Sequence, residues 1–333
     1  MIHSLTRGFR PNRVTLYGRT LVGAPMRLCR FAVAMLFFVS PVISARAQTK
    51  SIAERLGYPP DSKLLIIHAD DLAVAHSQDT ASFAALDQHA VASASIMVPC
   101  PWLTEVVDYA KAHPDADLGL HLTLTAEWKT YRWGPVASRN TVPSLLDPSG
   151  YLWPEVEPAV RNIKTEEAER EIRAQIERAV AMGIHPTHLD SHMGTLFARP
   201  DLFAVYVKVA REYKLPFLAV RTPDAPKELL SMLTERDFLL DSLVIADPSV
   251  NPANWKAFYT NAIKNLKPGL TEIIVHLGHD DAEMQAVMVD HPDYGAAWRQ
   301  RDYDAVTSPE FKKSLEDNPV ILIHWSDLKK LLN

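Results

Sequence analysis

Short apolar runs alternate with helical stretches along most of this 333-residue chain, and this alternation restricts the fold more than any other feature. Eight runs have the aliphatic and β-branched composition of buried strands, and helical segments separate most of them. Parallel strands that are covered by helices on both faces show continuous apolar runs of this kind. The strand candidates are residues 64–67, 95–98, 118–124, 186–189, 217–220, 243–245, 272–276 and 320–323.

Seven or eight strand–helix units in one domain predict an α/β fold with a closed or nearly closed parallel barrel. An open doubly wound sheet is the main alternative. The clearest helix is predicted over residues 166–182, because glutamates occupy its first turn and Gly183 follows its end. Residues 126–161 interrupt the alternation and are rich in Pro and Trp. Long irregular segments of this kind are usually functional loops or lids.

Residues 1–47 have the layout of a secretory signal peptide. They contain seven arginines and no lysine or acidic residue, and the apolar stretch 31–43 follows Arg27 and Arg30. Small residues just before Gln48 supply a cleavage site. An uncleaved N-terminal anchor is the alternative, although the apolar stretch is shorter than the roughly 20 residues that span a bilayer.

Cleavage near Ala47 leaves residues 48–333 as a single domain, which we expect in the periplasm or outside the cell. Translation beginning at Met26 is an alternative start. Without the seven leader arginines, 28 basic residues face 40 acidic ones, a net charge of −12 with His neutral. An acidic chain of this kind argues against nucleic acid as a partner. Cys100 is the one cysteine left in this part of the sequence, so no internal disulfide is expected.

Three short polar motifs follow or end predicted strands, which is where active sites form in parallel α/β folds. They offer one carboxylate and two imidazoles, a common set of ligands for a catalytic metal ion. A second, adjacent carboxylate can act as a base towards an activated water. The motifs therefore predict a metal-dependent hydrolase. They are His68-Ala69-Asp70-Asp71, Gly119-Leu120-His121-Leu122-Thr123 and His188-Leu189-Asp190-Ser191-His192.

Each motif taken alone also has a structural explanation. Paired aspartates after a strand often form a turn or a helix cap, and a His between leucines is commonly a packed core residue. His and Asp on one face of a strand also form hydrogen-bond networks without a metal. The occurrence of all three motifs at predicted strand ends of one domain favours a functional site.

The same motifs resemble those of the YdjC-like carbohydrate deacetylases, a family that includes chitooligosaccharide deacetylase. The similarity runs from about Lys63 to Leu328 with the motifs in order. The matching stretches are residues 65–72 (N-A-D-D-F-G in the family), 119–125 (G-x-H-x-x-L-T), 187–192 (T-H-L-D-S-H), 142–147 with Gly150 (a loop signature), and 272–276 (a strand ending in His).

This resemblance implies a deformed (β/α) barrel with about seven strands and hydrolysis of an N-acetyl group on an amino sugar or oligosaccharide. It also implies that Asp71, His121 and His192 bind one divalent metal ion and that Asp70 is the catalytic base. His276 corresponds to a general acid, or to a donor to the tetrahedral intermediate. Zinc suits two imidazole ligands, and magnesium is the alternative metal.

Further residues are expected around this centre. Polar residues of the motifs would orient the metal ligands, and aromatic residues of the irregular segment are candidates for stacking on sugar rings. A hydrophobic clamp that holds this segment to the barrel is the other explanation for the aromatic residues. The orienting candidates are His68, His188 and Asp190, and the aromatic candidates are Trp128, Trp133, Tyr151 and Trp153.

The sequence departs from the family pattern at three positions. His68 stands where the family usually has Asn, Ala73 where it has Gly, and Gly194 where many members have a further His. His68 keeps a hydrogen-bond donor at its position. Ala73 predicts a different turn, and Gly194 predicts altered substrate preference or metal affinity.

A glycosidase is a poorer match, because adjacent aspartates do not supply two carboxyl groups roughly 5–9.5 Å apart. The alternative function is an exported, non-catalytic glycan-binding protein on the same fold.

Overall fold

Strands and helices alternate along the chain, as the apolar runs predict. The computed structural model describes residues 50–221 and 226–332; the predicted signal peptide and its cleavage site lie outside the described residues. The strands are β1 (Lys63–Leu72), β2 (Ser93–Ile96), β3 (Leu118–Leu122), β4 (Leu189–Ser191), β5 (Ser242–Ile245), β6 (Gly269–Val275) and β7 (Val320–Leu322). The helices are α1 (Ile52–Arg55), α2 (His76–Asp87), α3 (Leu103–Ala112), α4 (Val156–Asn162), α5 (Thr165–Ala181), α6 (Pro200–Glu212), α7 (Lys227–Ser231), α8 (Trp255–Lys264), α9 (Ala282–Val287), α10 (Ala296–Val306), α11 (Pro309–Glu316) and α12 (Trp325–Lys330).

The described strands form one parallel sheet in the order β4-β3-β2-β1-β6-β5, with β7 also beside β1. One edge of β1 pairs with β6, and the other pairs first with β7 and then with β2. Isolated parallel bridges, Leu189–Phe217 and Val220–Leu240, link β4 to the chain that enters β5. The sheet therefore curls into a deformed barrel, which confirms the predicted fold class and excludes the open doubly wound sheet.

Several boundaries differ from the sequence-based expectation. The predicted helix 166–182 is α5, displaced by one residue. β4 begins only at Leu189, whereas the prediction ended a strand there. Residues 217–220 take part only in isolated bridges, Phe217 with Leu189 and Val220 with Leu240.

Successive side chains of each strand point to opposite faces of the sheet. In β1, Leu65 and Ile67 belong to the large core between sheet and helices, whereas Leu64 and Ile66 belong to a smaller core inside the barrel. The inward positions that follow along β1 are polar and buried. The barrel interior thus changes from apolar to polar towards the carboxyl ends of the strands, where the predicted motifs lie.

Residues 126–161, predicted to be irregular, are tied to α5. The buried carboxylate of Glu171 accepts hydrogen bonds from the backbone N–H groups of Val136 and Ala137, each at 2.9 Å. These bonds satisfy loop donors that have no strand partner, so the segment is held against the barrel. Among the described residues, no helix has the length and apolar character needed to cross a membrane.

Candidate active site

The carboxyl ends of β1, β3, β4 and β6 surround a cavity of about 460 Å³. Asp70 and Asp71 lie near the end of β1, His121 lies within β3, and His192 and His276 directly follow β4 and β6. All five side chains line the cavity. The structure therefore brings together the predicted base, the predicted metal ligands and the predicted acid.

A β-bulge allows two adjacent aspartates to face the same cavity. On a regular strand, Asp70 and Asp71 would point to opposite faces. The register between β1 and β2 shifts between Ala69 and Leu72, and Asp71 has a φ of 71°. A bulge of this kind redirects side chains, so both carboxylates reach the cavity. Ala73, in the turn just beyond, also has a positive φ, 79°, a conformation that favours glycine.

Asp71, His121 and His192 each present one donor atom to a common point. Asp71 Oδ1 lies 3.4 Å from His121 Nε2 and 3.3 Å from His192 Nδ1. Ligands at about 2.0–2.1 Å from a tetrahedral ion are separated by roughly 3.3–3.4 Å, so the spacing fits an ion of the size of zinc. Among the described residues, the buried Asp71 Oδ1 has no hydrogen-bond partner and faces the two imidazoles, so a cation at the common point would satisfy it.

In both imidazoles of this set, the ring nitrogen that points away from the common point lies next to a carboxylate. His121 Nδ1 lies 3.2 Å from Asp190 Oδ2, and His192 Nε2 lies 3.0 Å from Glu127 Oε2. Such carboxylate–imidazole pairs fix the ring orientation of metal ligands. Burial disfavours the His192 cation, but Glu127 and Asp71 outweigh burial and raise the pKa of His192 to about 10. The second nitrogen of each ring points towards the common point.

Arg299, from α10, holds the remaining oxygen of Asp71. Its Nη2 donates to Asp71 Oδ2 at 2.7 Å, its Nε donates to the Tyr294 carbonyl at 2.8 Å, and its Nη1 donates to Gln78. Burial disfavours the Asp71 carboxylate, but the adjacent guanidinium holds the pKa of Asp71 well below its ordinary value. Asp71 is therefore ionised and fixed in place, with one oxygen left for a cation.

Sequence reasoning missed Glu127 and Arg299. Glu127 lies four residues beyond the motif that contains His121, and this proximity is its only sequence signal. Arg299 lies in a helix far from all three motifs, and no local pattern distinguishes it from a surface arginine.

Asp70 uses its two carboxylate oxygens differently. Its Oδ1 accepts a hydrogen bond from Ser95 Oγ at 3.1 Å and lies 3.1 Å from His68 Nε2. Its Oδ2 lies 3.8 Å from both His121 Nε2 and His276 Nε2. Burial disfavours the carboxylate, but His121 and His68 hold the pKa of Asp70 below its ordinary value. Asp70 is thus an ionised carboxylate with one oxygen directed at the catalytic centre.

A layer of polar side chains lies beneath these groups. Glu272 Oε1 lies 3.8 Å from His68 Nδ1 and accepts a hydrogen bond from Trp325 Nε1 at 2.8 Å. The His188 ring stacks on Trp325, with 5.0 Å between centroids. It fills the space that a Cβ at Gly119 would need, since that atom would lie 2.3 Å from His188 Cε1. Burial lowers the pKa of His188 well below its ordinary value, so this ring is neutral and packed.

His276 lies at the rim of the centre. Its ring packs edge-on against Tyr294, with 5.0 Å between centroids, and its backbone N–H donates to Asp302 Oδ2 at 2.9 Å. Burial lowers the pKa of His276 and favours the neutral imidazole. A neutral ring is better suited to donating a hydrogen bond to a developing oxyanion than to protonating an amine.

The four aromatic candidates are not equivalent. Trp128 lines the cavity, and the Arg299 guanidinium lies 5.8 Å from its ring centroid. Trp133 is buried, and both Trp133 and Trp153 donate hydrogen bonds to backbone carbonyls, at 2.9 and 3.0 Å. Tyr151 is exposed and lies beside an arginine. The contacts of Trp133 and Trp153 agree with the clamp explanation, whereas Trp128 is also buried but borders the cavity.

Gly194 also lines the cavity, in a left-handed conformation with a φ of 65°. A Cβ at this position would meet Phe197 at 3.5 Å, an ordinary contact. The cavity therefore has room for a side chain here, although the backbone conformation disfavours one.

The fold is a deformed parallel α/β barrel, and its buried carboxylates and imidazoles lie at the carboxyl ends of the strands. In α/β-barrel proteins, the active site lies at this edge of the barrel. The YdjC-like protein family matches residues 64–317, more than half of the chain. The chain therefore belongs to the YdjC-like family, which confirms the resemblance found in its motifs.

Curated relatives and a solved structure agree with this assignment. A carbohydrate deacetylase of Thermus thermophilus is 34% identical, over 80% of this chain and 94% of the relative. A chitooligosaccharide deacetylase of Yersinia enterocolitica is 24% identical, over 80% of this chain and 99% of the relative. A crystal structure from Enterococcus faecalis, described as a candidate cellobiose-phosphate cleavage protein, is similar with a TM-score of 0.69 and 25% identity, over 80% and 99% of the two chains.

Proposed function

We propose that this protein is a metal-dependent carbohydrate deacetylase that hydrolyses the N-acetyl group of an amino sugar or oligosaccharide. The observation that carries the proposal is the position of Asp70, whose free Oδ2 lies beside the three convergent donors of Asp71, His121 and His192. A base next to a metal site is the arrangement that amide hydrolysis requires. The names of the curated relatives support the same class of substrate.

In this proposal, Asp70 Oδ2 accepts the proton of the attacking water. His276, 3.8 Å from that oxygen, donates to the oxyanion or to the leaving amine. Asp71, His121 and His192 would hold one divalent ion, with zinc favoured by the two imidazoles and magnesium as the alternative. When bound, such an ion polarises the amide carbonyl and activates a water.

The test is acetate release from N-acetylated oligosaccharides by the metal-loaded protein. We expect Asp70→Asn to reduce kcat by about 10²–10⁴-fold, the usual contribution of a general base, while the metal content stays the same. Asp108→Asn is the control, because Asp108 is an aspartate whose side chain is 81% exposed. Full activity of Asp70→Asn would reject the proposed base. Glycan binding by the wild type without acetate release from a broad panel would favour the non-catalytic glycan-binding alternative.

We also propose that the mature protein begins near Gln48 and acts in the periplasm or outside the cell, on an envelope or environmental glycan. The support is the leader with seven arginines and no acidic residue, which has the layout of a signal peptide. Amino-terminal sequencing of the protein from its native host is expected to begin near Gln48. A protein that keeps its leader and fractionates with membranes would support the anchor alternative.

A further inference from the structure

The cavity has an apolar wall that the proposed hydrolysis does not use. Four aliphatic side chains, Leu218, Leu243, Ile245 and Ile274, line it on the side of β5 and β6. The catalytic groups come mainly from β1, β3 and β4. Polar and apolar lining thus lie on different sides of one cavity, an arrangement suited to a ligand with one reactive end and one apolar end.

This wall extends deeper into the barrel than the catalytic groups. Ile274 lies beside His68 in the pairing of β1 with β6, so it is already below the carboxyl end of β1. In the pairing of β5 with β6, Ile245 lies beside Ile274, and Leu243 lies beside Glu272. Each residue of a strand advances about 3.3 Å, so the wall descends by a further roughly 6–7 Å from Ile245 to Leu243. We call these four residues and the space that they border the aliphatic recess.

The chemistry of the aliphatic recess selects its occupant. A sugar ring would lose water from its hydroxyl groups there without gaining hydrogen-bond partners. An alkyl chain meets no such cost and gains from burial in proportion to its length. In an N-acylated sugar, the acyl chain leaves the carbonyl carbon in the direction away from the sugar nitrogen. The chain can therefore lie along the aliphatic wall while the sugar stays on the side of the cavity that the polar residues line.

We propose that the aliphatic recess binds the acyl chain of the substrate, and that the protein hydrolyses N-acyl amino sugars with chains longer than acetyl more efficiently than N-acetyl ones. The inference rests on the proposed hydrolytic function of the same site. The reaction is the same as for an N-acetyl group. The amide C–N bond breaks, water adds its hydroxyl to the acyl carbon, and the amine takes up a proton. The products are a short fatty acid and a free amino sugar.

The metal-loaded protein is assayed on glucosamine oligosaccharides with N-acetyl, N-propionyl, N-butyryl or N-hexanoyl groups, and the released amine is the common readout. We expect kcat/KM to rise by about three- to fourfold for each added methylene until the recess is filled. A fall from acetyl to propionyl and butyryl would overturn the inference and leave the hydrolytic function standing. Release of amine from none of these substrates would reject the hydrolytic function itself.

Two substitutions test the recess directly. Ile245→Trp is expected to fill it and to lower the ratio of kcat/KM for hexanoyl to acetyl substrates by at least roughly tenfold. Val244→Leu is the matched control, because Val244 is the next residue of β5 but packs in the core outside the barrel, and the ratio should not change. Leu243→Phe serves if Ile245→Trp does not fold. An unchanged ratio in a folded recess variant would contradict the assignment.

Discussion

Two neighbouring groups of buried side chains both consist of histidines and aspartates. They differ in where the charged residues that contact them lie. In each group, the three donor atoms are within 4.8 Å of one another. We call them the donor cluster and the paired cluster. The donor cluster is Asp71, His121 and His192, and the paired cluster is His68, Asp70 and Asp190.

In the donor cluster, the supporting partners stand outside the group. Arg299 and Glu127 contact the far atoms of Asp71 and His192, and Asp71 Oδ1 has no hydrogen-bond partner among the described residues. The donor atoms therefore converge on a point that is suited to a cation. The paired cluster combines the same two residue types in the opposite ratio, two carboxylates and one imidazole.

In the paired cluster, the one imidazole lies between carboxyl groups: His68 Nε2 is 3.1 Å from Asp70 Oδ1, and His68 Nδ1 is 3.8 Å from Glu272 Oε1. Burial disfavours the His68 cation, but Asp70 and Glu272 outweigh burial and raise the pKa of His68 to about 9. Asp190 Oδ1 accepts the Ser191 backbone N–H at 2.6 Å. This cluster already contains its positive charge, so we expect it to orient the base rather than to bind a metal.

The largest difference is expected between Asp71→Asn and His68→Asn. Asp71→Asn removes the central ligand charge and leaves Arg299 buried without its partner, which costs about 3–5 kcal/mol of unfolding free energy. Metal affinity should fall by more than roughly 100-fold, since loss of a group that only orients a ligand already costs about 10–100-fold. His68→Asn keeps a hydrogen-bond donor beside Asp70 and should retain metal. Metal analysis and thermal unfolding measure both effects. Equal metal loss in the two variants would show that the clusters do not differ as described.

The next effect concerns the carboxylates behind the imidazoles. Glu127→Gln and Asp190→Asn should each weaken metal binding by roughly 10–100-fold, because they hold the rings of His192 and His121. Competition with a chelator measures the affinity. Glu105→Gln is the matched control, since Glu105 also contacts an imidazole, 2.8 Å from His76 Nδ1, but at the protein surface. A similar loss in the control would mean that the contacts behind the rings are not specific.

A smaller effect is expected in the layer beneath both clusters. Gly119→Ala forces a Cβ to within 2.3 Å of His188 Cε1, and overpacking of this kind typically costs about 1–3 kcal/mol. Gly134→Ala is the control, because its Cβ would meet only the flexible end of Arg139, at 3.0 Å. Urea unfolding compares the two. An unchanged stability of Gly119→Ala would show that His188 is free to move.

The smallest effect is a gain in stability. Ala73 has a φ of 79°, and a left-handed alanine stores strain that glycine avoids. Ala73→Gly is expected to raise the unfolding free energy by about 0.5–1 kcal/mol. Ala69→Gly, a buried position of β1 without a positive φ, should lower it instead. Loss of stability in both variants would indicate that the Ala73 methyl contributes more through packing than it costs in strain.

The fold could be predicted because apolar runs mark the strands. The three motifs placed the candidate ligands in or after those runs, and the resemblance to the YdjC-like family singled out the set that forms the donor cluster. The bulge at Asp70 and Asp71 has no such pattern, and strict alternation would have turned one carboxylate away from the cavity. Arg299 and Glu127 act through contacts made only after folding. Their roles depend on tertiary structure, which a single sequence does not display.

The ion pair between Asp71 and Arg299 has a consequence for folding order. It joins residues 228 positions apart, from β1 to α10. Contacts so distant along the chain form late, because the entropy of closing the intervening loop must first be overcome. Asp71 therefore gains its buried counter-charge only when α10, near the end of the chain, docks. A growing chain that ends before α10 contains all three motifs without a stable centre, so assembly of the site waits for the barrel to close.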